Sequence, residues 1–313
     1  MPKMPWAEKP LLVIFGPTAV GKTSLAIEIA EALNGEIIGA DSRQIYRYMD
    51  IGTAKPTPTQ RQQIPHHMID VVDPDVNLSL AEYQQQASQA IDEVLGRRHL
   101  PLLVGGTGQY ITALIEGWSI PAVPPNESLR AELEAFANEH GAIVLHRRLR
   151  DIDPKAADSI DYRNVRRVIR ALEVYETTGT PISVLQQKRP PHYRLRQIGL
   201  TMDREALYTQ ADERVIQMVE DGFVEEVKGL LNRGYHPRLP SMSGLGYREI
   251  AAHVLDHVPL TQAIEDTQHA THDFIRRQYT WFKGHDDGIL WHNRGGLHIK
   301  ELIVQLTAWL QQG

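Results

Sequence analysis

A chain of 313 residues with 42% apolar and 23% charged residues has the composition of a soluble globular protein, long enough for one large domain or two small ones. It has no cysteine, which excludes disulfides, thiolate zinc sites and a cysteine nucleophile, and its net charge of −6 speaks against a surface that grips nucleic acid everywhere while permitting a local basic face. No basic segment followed by a cleavable apolar one opens the chain, and no apolar run reaches the length of a bilayer, so a cytoplasmic protein without a membrane partner is expected.

Leu11 to Phe15 is a short apolar run leading into Gly16-Pro17-Thr18-Ala19-Val20-Gly21-Lys22-Thr23, and Ser24 to Ala30 continues as an amphipathic helix. Strand, G-x-x-x-x-G-K-T and helix in that order form a P-loop. Its glycines let backbone N–H groups turn inward, and the new helix aims its positive end at the same spot. Lys22 adds a mobile positive charge, and the Thr23 hydroxyl is placed to ligate Mg²⁺ held by phosphates. A ligand carrying a pyrophosphate is expected here.

The second strand, Gly35 to Ala40, ends in Asp41-Ser42-Arg43-Gln44. In an open parallel sheet the carboxyl ends of strands face the ligand crevice, which puts this cluster beside the P-loop. Asp41 is then either a general base or an outer partner of Mg²⁺. His67 to Ile69 reads as a short third strand, and Ser79-Leu80-Ala81-Glu82 is a capping box opening a helix that runs to about Arg97. The next strand, Leu100 to Val104, ends in Gly105-Gly106-Thr107-Gly108 without the acidic residue of a Walker B strand, which weakens the case for an ATPase. These glycines suit either close approach of a flat ligand or a tight turn.

From Trp118 a Pro-rich linker gives way to helical patterns that dominate to about Lys188. Leu195 to Met202 reads as a strand returning to the sheet, and Ile289 to Trp291 as another. The expected architecture is therefore α/β: a P-loop-type parallel sheet covered by helices, formed by residues 1–117 and 197–313, with an all-helical insertion over 118–196. Arg163, Arg166, Arg167 and Arg170 recur at helical spacing, so several share one face. That face suits phosphodiester contacts, and equally a solvated helix paired with nearby aspartates such as Asp158 and Asp161. Arg214 is either a surface residue or a second clamp on an anion. His253 with His257, and His269 with His272, lack the glutamate spacing of a zincin, and Tyr279, Trp281 and Phe282 read as packing residues.

Taken together, several segments resemble the bacterial tRNA dimethylallyltransferase family: G-P-T-A-V-G-K-T at 16–23, A-D-S-R-Q-I-Y at 40–46, D-I-G-T-A-K-P at 50–56 and G-G-T-G-x-Y at 105–110. R-x-I-R-A-L-E-V at 167–174, M-V-E-D-G-F-x-E-E-V at 218–227, G-Y-R-E at 246–249 and R-R-Q-Y-T-W-F at 276–282 complete the ordered set. The resemblance implies that the P-loop, Gly16 to Thr23, holds dimethylallyl diphosphate, and that N6 of the adenosine 3′ of the anticodon attacks its C1. It implies Asp41 as general base, Thr23 as Mg²⁺ ligand, and Arg214 with Lys22 as stabilisers of the leaving diphosphate. It implies tRNA contacts at Asp41, Ser42, Arg43, Gln44, Thr107, Arg130, Arg166, Arg167, Val168, Ile169, Arg170, Ser243, Gly244, Leu245, Gly246, Tyr247 and Arg248. The insertion corresponds to the family's domain that closes on the anticodon stem-loop, and the enzyme is expected to act as a monomer. The family usually has Gln-Arg where this chain has Arg166-Arg167, and an arginine is common where His272 stands. The competing reading is a P-loop small-molecule kinase using ATP, which the missing Walker B acid and the arginine-rich insertion disfavour.

Overall fold

The computed structural model describes residues 8–284 and 288–312. In chain order the first unit contains β1 (Lys9–Phe15), α1 (Lys22–Leu33), β2 (Gly35–Gly39), α2 (Pro58–Gln63), β3 (His66–His67), α3 (Leu80–Gly96), β4 (Leu100–Gly105) and α4 (Gly108–Ile115). Five helices follow: α5 (Glu127–His140), α6 (Ala142–Ile152), α7 (Pro154–Ser159), α8 (Val165–Thr178) and α9 (Ile182–Leu185). The chain then enters β5 (Tyr193–Thr201), α10 (Arg204–Glu220), α11 (Phe223–Asn232), α12 (Tyr247–Asp256), α13 (Leu260–Lys283), β6 (Ile289–Asn293) and α14 (Ile299–Gln311).

The six strands form one sheet in the order β3-β2-β4-β1-β5-β6, with every pairing parallel. Parallel neighbours need helical crossovers, and those crossovers bury both faces. Accordingly Leu11 to Ile14 are fully buried, as are Leu100, Leu102 and Leu103. The apolar stripe of α1 (Leu25, Ala26, Ile29, Ala30) meets Leu302, Leu306 and Trp309 of α14 in one cluster. α3 opens on the Ser79–Glu82 capping box and buries Tyr83, Ala87, Ala90, Ile91, Val94 and Leu95, a helical face. All strands share a direction, so the loops after β1, β2, β4, β5 and β6 gather at one edge.

Two compact units are present: one runs to Leu114 and resumes at His192, the other is Ile115–Pro191. The boundary expected after residue 196 falls inside β5, whose pairing with β1 starts at Tyr193↔Lys9. Its early residues alternate basic and apolar (Arg194, Leu195, Arg196), which hides a strand from a search for apolar runs. The third strand is likewise displaced by one residue, to His66–His67, because Met68 turns to φ 62° and ends it. The helical unit has its own core, including Leu145, Leu149, Val168, Leu172 and Val174.

Candidate active site

The loop between β1 and α1 has the backbone of an anion nest. Gly21, the N-cap of α1, lies at φ 87°, a left-handed conformation that glycine adopts with least cost, and Ala19 lies at φ 65°. The N–H groups of Ala19 to Thr23 find no acceptor among the described residues. They precede or open α1, where the helix dipole adds to their positive potential.

Lys22 folds over this loop, its Nζ donating to the carbonyls of Gly16 at 3.0 Å and Pro17 at 2.7 Å. Burial lowers its pKa to about 8; the Asp41 carboxylate acts to raise it again and Arg214 to lower it further. Arg214, half-buried on α10, is also lowered by burial and raised by Asp41. Three elements distant in sequence thus set two cations and one carboxylate in a single electrostatic neighbourhood.

Asp41 follows the end of β2, and its Oδ1 accepts the N–H of Arg43 at 2.8 Å in a tight turn that fixes the carboxyl group. Thr107, following β4, donates its N–H to the Ala40 carbonyl at 3.1 Å, and its Oγ1 accepts the N–H of Ser42 at 3.0 Å. Asp41 is therefore held on both sides by the neighbouring strand end. Gln44 donates to the carbonyls of Thr53 and Ala54, each at 3.1 Å. Arg43 reaches across to the Pro240 carbonyl at 2.6 Å and to Ser243 Oγ at 3.3 Å, joining the segments 41–44 and 243–248.

The glycines after β4 accommodate protein. A Cβ on Gly105 would collide with the Ala40 carbonyl, one on Gly106 with the side-chain amide of Gln278, and one on Gly108 with the indole of Trp281. The close approach that their sequence suggests is made by β2 and α13. Gln278, only 5% exposed, accepts the N–H of Thr18 at 2.9 Å and donates to the Gly106 carbonyl at 2.9 Å. The sequence reading missed it, although it lies inside R-R-Q-Y-T-W-F, because its aromatic neighbours account for the motif as packing. Phe282 packs against Phe15 with ring centroids 4.7 Å apart and the rings tilted by 35°, and Tyr279 Oη meets Thr201 Oγ1 at 3.1 Å.

Three further carboxylates, Glu226, Asp50 and Asp70, and one lysine, Lys55, have roles that the sequence does not signal. Glu226 on α11 accepts the N–H groups of Asp50 and Ile51 at 2.7 Å each, and the Tyr247 hydroxyl at 2.7 Å. Tyr247 is fully buried, so its side chain anchors the 243–248 segment and does not face a ligand. Lys55, with its side chain 1% exposed, pairs with Asp50 and Asp70 at 2.6 Å each. It fixes the 50–56 segment along a cavity of about 720 Å³ that Arg214, Gln217 and Met218 also line. His272 bonds Asp212 at 2.8 Å and stacks on Tyr208, and His253 bonds the Val258 carbonyl at 2.7 Å.

The expected basic face of α8 divides in two. Glu173, fully buried, accepts from Arg130 at 2.8 and 3.0 Å, from Arg170 at 2.6 Å and from the N–H of Asn126 at 2.7 Å. These bonds hold its pKa below the ordinary carboxylate value although burial acts to raise it. Arg130 and Arg170, each with about a third of its side chain exposed, are thus both paired to Glu173, which joins α8 to α5. Val168 and Ile169 are core residues, and Arg163 pairs with Asp161. Arg166 and Arg167 remain exposed on the first turn of α8.

Mg²⁺ takes oxygen ligands, keeps several waters, and needs one or two protein groups when phosphates supply the rest. The Thr23 hydroxyl, without a hydrogen-bond partner among the described residues, and the Asp41 carboxylate fit that sparse donor set. No group of three or more His, Cys, Asp or Glu among the described residues forms a dedicated metal cage.

The IPP transferase family model matches residues 44–285, and an isopentenyl transferase model matches residues 9–76. The chain is 54% identical over 274 residues to a tRNA dimethylallyltransferase of Roseiflexus castenholzii, covering 88% of this chain and 90% of the relative. One from Chloroflexus aurantiacus is also 54% identical, over 273 residues, covering 87% and 92%. Among solved structures, the full-length tRNA isopentenylpyrophosphate transferase of Bacillus halodurans superposes with a TM-score of 0.70 at 40% identity, covering 96% of this chain and 95% of that one. A eukaryotic dimethylallyltransferase acting on tRNA superposes with a TM-score of 0.75 at 25% identity, covering 91% and 74%. With a carboxylate and two cations brought to one phosphate-binding loop, and with relatives matching over nearly its whole length, the chain belongs to the IPP transferase family.

Proposed function

We propose that this protein transfers the dimethylallyl group of dimethylallyl diphosphate to N6 of adenosine 37, immediately 3′ of the anticodon of tRNA, giving N6-isopentenyladenosine and diphosphate. The observation that carries the reading is Asp41 set against Lys22 and Arg214 beside an open P-loop nest. An exocyclic adenine amine is a weak nucleophile and loses a proton as its bond to carbon forms, so a carboxylate must stand on the nucleophile's side. The allylic C1–O bond breaks as C1–N6 forms, and negative charge builds on the departing diphosphate, so cations must stand on the leaving-group side. Asp41 takes the N6 proton. Lys22, Arg214 and the N–H groups of Ala19 to Thr23 receive the diphosphate. A Mg²⁺ ion, when bound, supplies further charge neutralisation at the diphosphate, and Thr23 is the residue that would hold it.

A base stacked in an anticodon loop has to leave the stack to reach such a site. In this reading Asp41 to Gln44, Thr107 and the Ser243–Arg248 segment, apart from the buried Tyr247 side chain, receive it; all lie in one unit, with Arg43 joining two of these segments. Arg166 and Arg167 on the helical unit are suited to phosphodiesters, and Arg130 and Arg170 to holding that unit together through Glu173. Incubation with dimethylallyl diphosphate labelled in the allyl group tests the reading: label enters unmodified tRNA and diphosphate is released without any ATP. Phosphate transfer from ATP to an acceptor, with no label in tRNA, contradicts it.

A further inference from the structure

A third cation reaches the P-loop from the last strand of the sheet. The register Phe15↔Gly199↔Trp291 runs from β1 through β5 to β6. Arg294, three residues past Trp291, therefore leaves the sheet at the same edge as Thr18, three residues past Phe15. A turn over Arg294–Gly296, in which Asn293 Oδ1 accepts the Gly295 N–H at 3.0 Å, fixes its backbone. The side chain lies on Gly21: a Cβ there would stand 3.3 Å from Arg294 Nε and 3.9 Å from its Cδ. Both residues belong to the same unit.

The protein gives this charge no partner. Arg294 is half-buried, yet its guanidinium, with five N–H donors, has neither a hydrogen bond nor an ion pair among the described residues. Its surroundings are repulsive, because the N-terminus of α1 presents roughly +0.5 of an elementary charge. Gly21 caps that helix, and Lys22 follows it directly. Gly21 is also one of the loop residues whose N–H finds no acceptor. An anion that takes the Gly21 and Lys22 N–H groups therefore comes within reach of Arg294, whose planar fork matches phosphoryl oxygens. A terminal phosphoryl group, with about −1.5 to −2 charges near neutral pH, is enough to turn these repelling groups into partners.

We propose that Arg294 is a third cation of the diphosphate site, binding phosphoryl oxygens beside Gly21 together with Lys22 and the loop N–H groups. The proposal rests on the reading of this loop as the diphosphate site. As the allylic C1–O bond breaks, its electron pair stays on the departing oxygen. Arg294 donates hydrogen bonds to that growing charge and gives up no proton, since a guanidinium stays protonated. Free diphosphate carries more charge than its allylic ester, so the contact strengthens as the leaving group departs.

Calorimetric titration with inorganic pyrophosphate tests this without tRNA. Arg294→Ala should weaken pyrophosphate binding about tenfold or more, as expected for one lost charge-assisted contact. Arg294→Lys keeps the charge without the fork and should lose less. Thermal midpoints separate binding from packing. Without ligand the alanine variant should melt no lower than wild type, because an unpaired cation has left a positive helix end; with pyrophosphate its midpoint should rise less than that of wild type. Should the alanine variant fail to fold, Arg294→Gln, close in size, should show the same loss of affinity. Pyrophosphate affinity equal to wild type in the neutral variant overturns the proposal, as does a lowered ligand-free midpoint with an undiminished response to pyrophosphate. Prenyl transfer is read separately from label in tRNA. Its absence in a wild-type protein that binds pyrophosphate through Arg294 contradicts the proposed function and leaves this role standing; label in tRNA with pyrophosphate affinity untouched by Arg294→Ala does the reverse.

Discussion

At the scale of single residues, the site is a problem of placing opposite charges a short way apart without letting them neutralise each other. Asp41 is restrained by its own turn through the Arg43 N–H and by Thr107 on the neighbouring strand end, so its carboxylate is oriented without being paired directly to Lys22 or Arg214. Asp41→Asn keeps the shape and removes the base. Turnover should fall by roughly 10²–10⁴-fold while tRNA affinity stays within a few fold, measured by single-turnover prenylation and filter binding. Turnover near that of wild type would remove Asp41 from the proton transfer. Lys22 makes a different prediction. Its burial-lowered pKa of about 8 means that the ammonium is present below that pH and lost as pH rises through it. Affinity for dimethylallyl diphosphate should therefore decline above about pH 8, approaching tenfold per pH unit, and flatten in Lys22→Arg, whose guanidinium stays charged. A wild-type affinity constant from pH 7 to 9.5 would contradict the assignment.

At the scale of elements, α8 shows how a helix can carry four arginines for two unrelated purposes. The spacing of positions 163, 166, 167 and 170 is legible in sequence, and so is the pairing of Arg163 with a nearby aspartate, Asp161. What spacing cannot convey is that Glu173 lies fully buried and pairs with both Arg170 and Arg130, on two different helices. Removing that carboxylate strands two guanidinium groups: Glu173→Gln should destabilise the helical unit by about 3 kcal/mol, seen as a lower thermal midpoint. Arg166→Ala and Arg167→Ala should leave the midpoint nearly unchanged. Each should instead weaken tRNA binding about equally for different tRNAs and flatten its salt dependence by at most about one unit. Unchanged affinity and slope in both variants would return these arginines to ordinary solvated residues.

At the scale of the whole molecule, the alternation of strand and helix and the G-x-x-x-x-G-K-T loop are local signals, and they carry the sheet, its parallel sense and the edge where the loops of the candidate site gather. Less legible are the contacts that close the site from far along the chain. Gln278 reaches Thr18 across 260 residues, and Glu226 caps the 50–52 turn from α11. Both sit in ordinary amphipathic helices, where a polar residue on the inner face resembles any other polar residue until the partner is in place. The glycines after β4 are the counterpart: visible at once, and packed against α13 and the end of β2 in a way that only the folded chain reveals. The central claim is that this P-loop serves carbon–nitrogen bond formation on tRNA. Its most direct test is nucleoside analysis of an anticodon stem-loop, carrying adenosine or guanosine at position 37, after incubation with dimethylallyl diphosphate and no ATP. The account predicts N6-isopentenyladenosine at position 37 of the adenosine substrate and no product from the guanosine one; prenylation elsewhere, or none at all under conditions where the protein phosphorylates an acceptor from ATP, would contradict it.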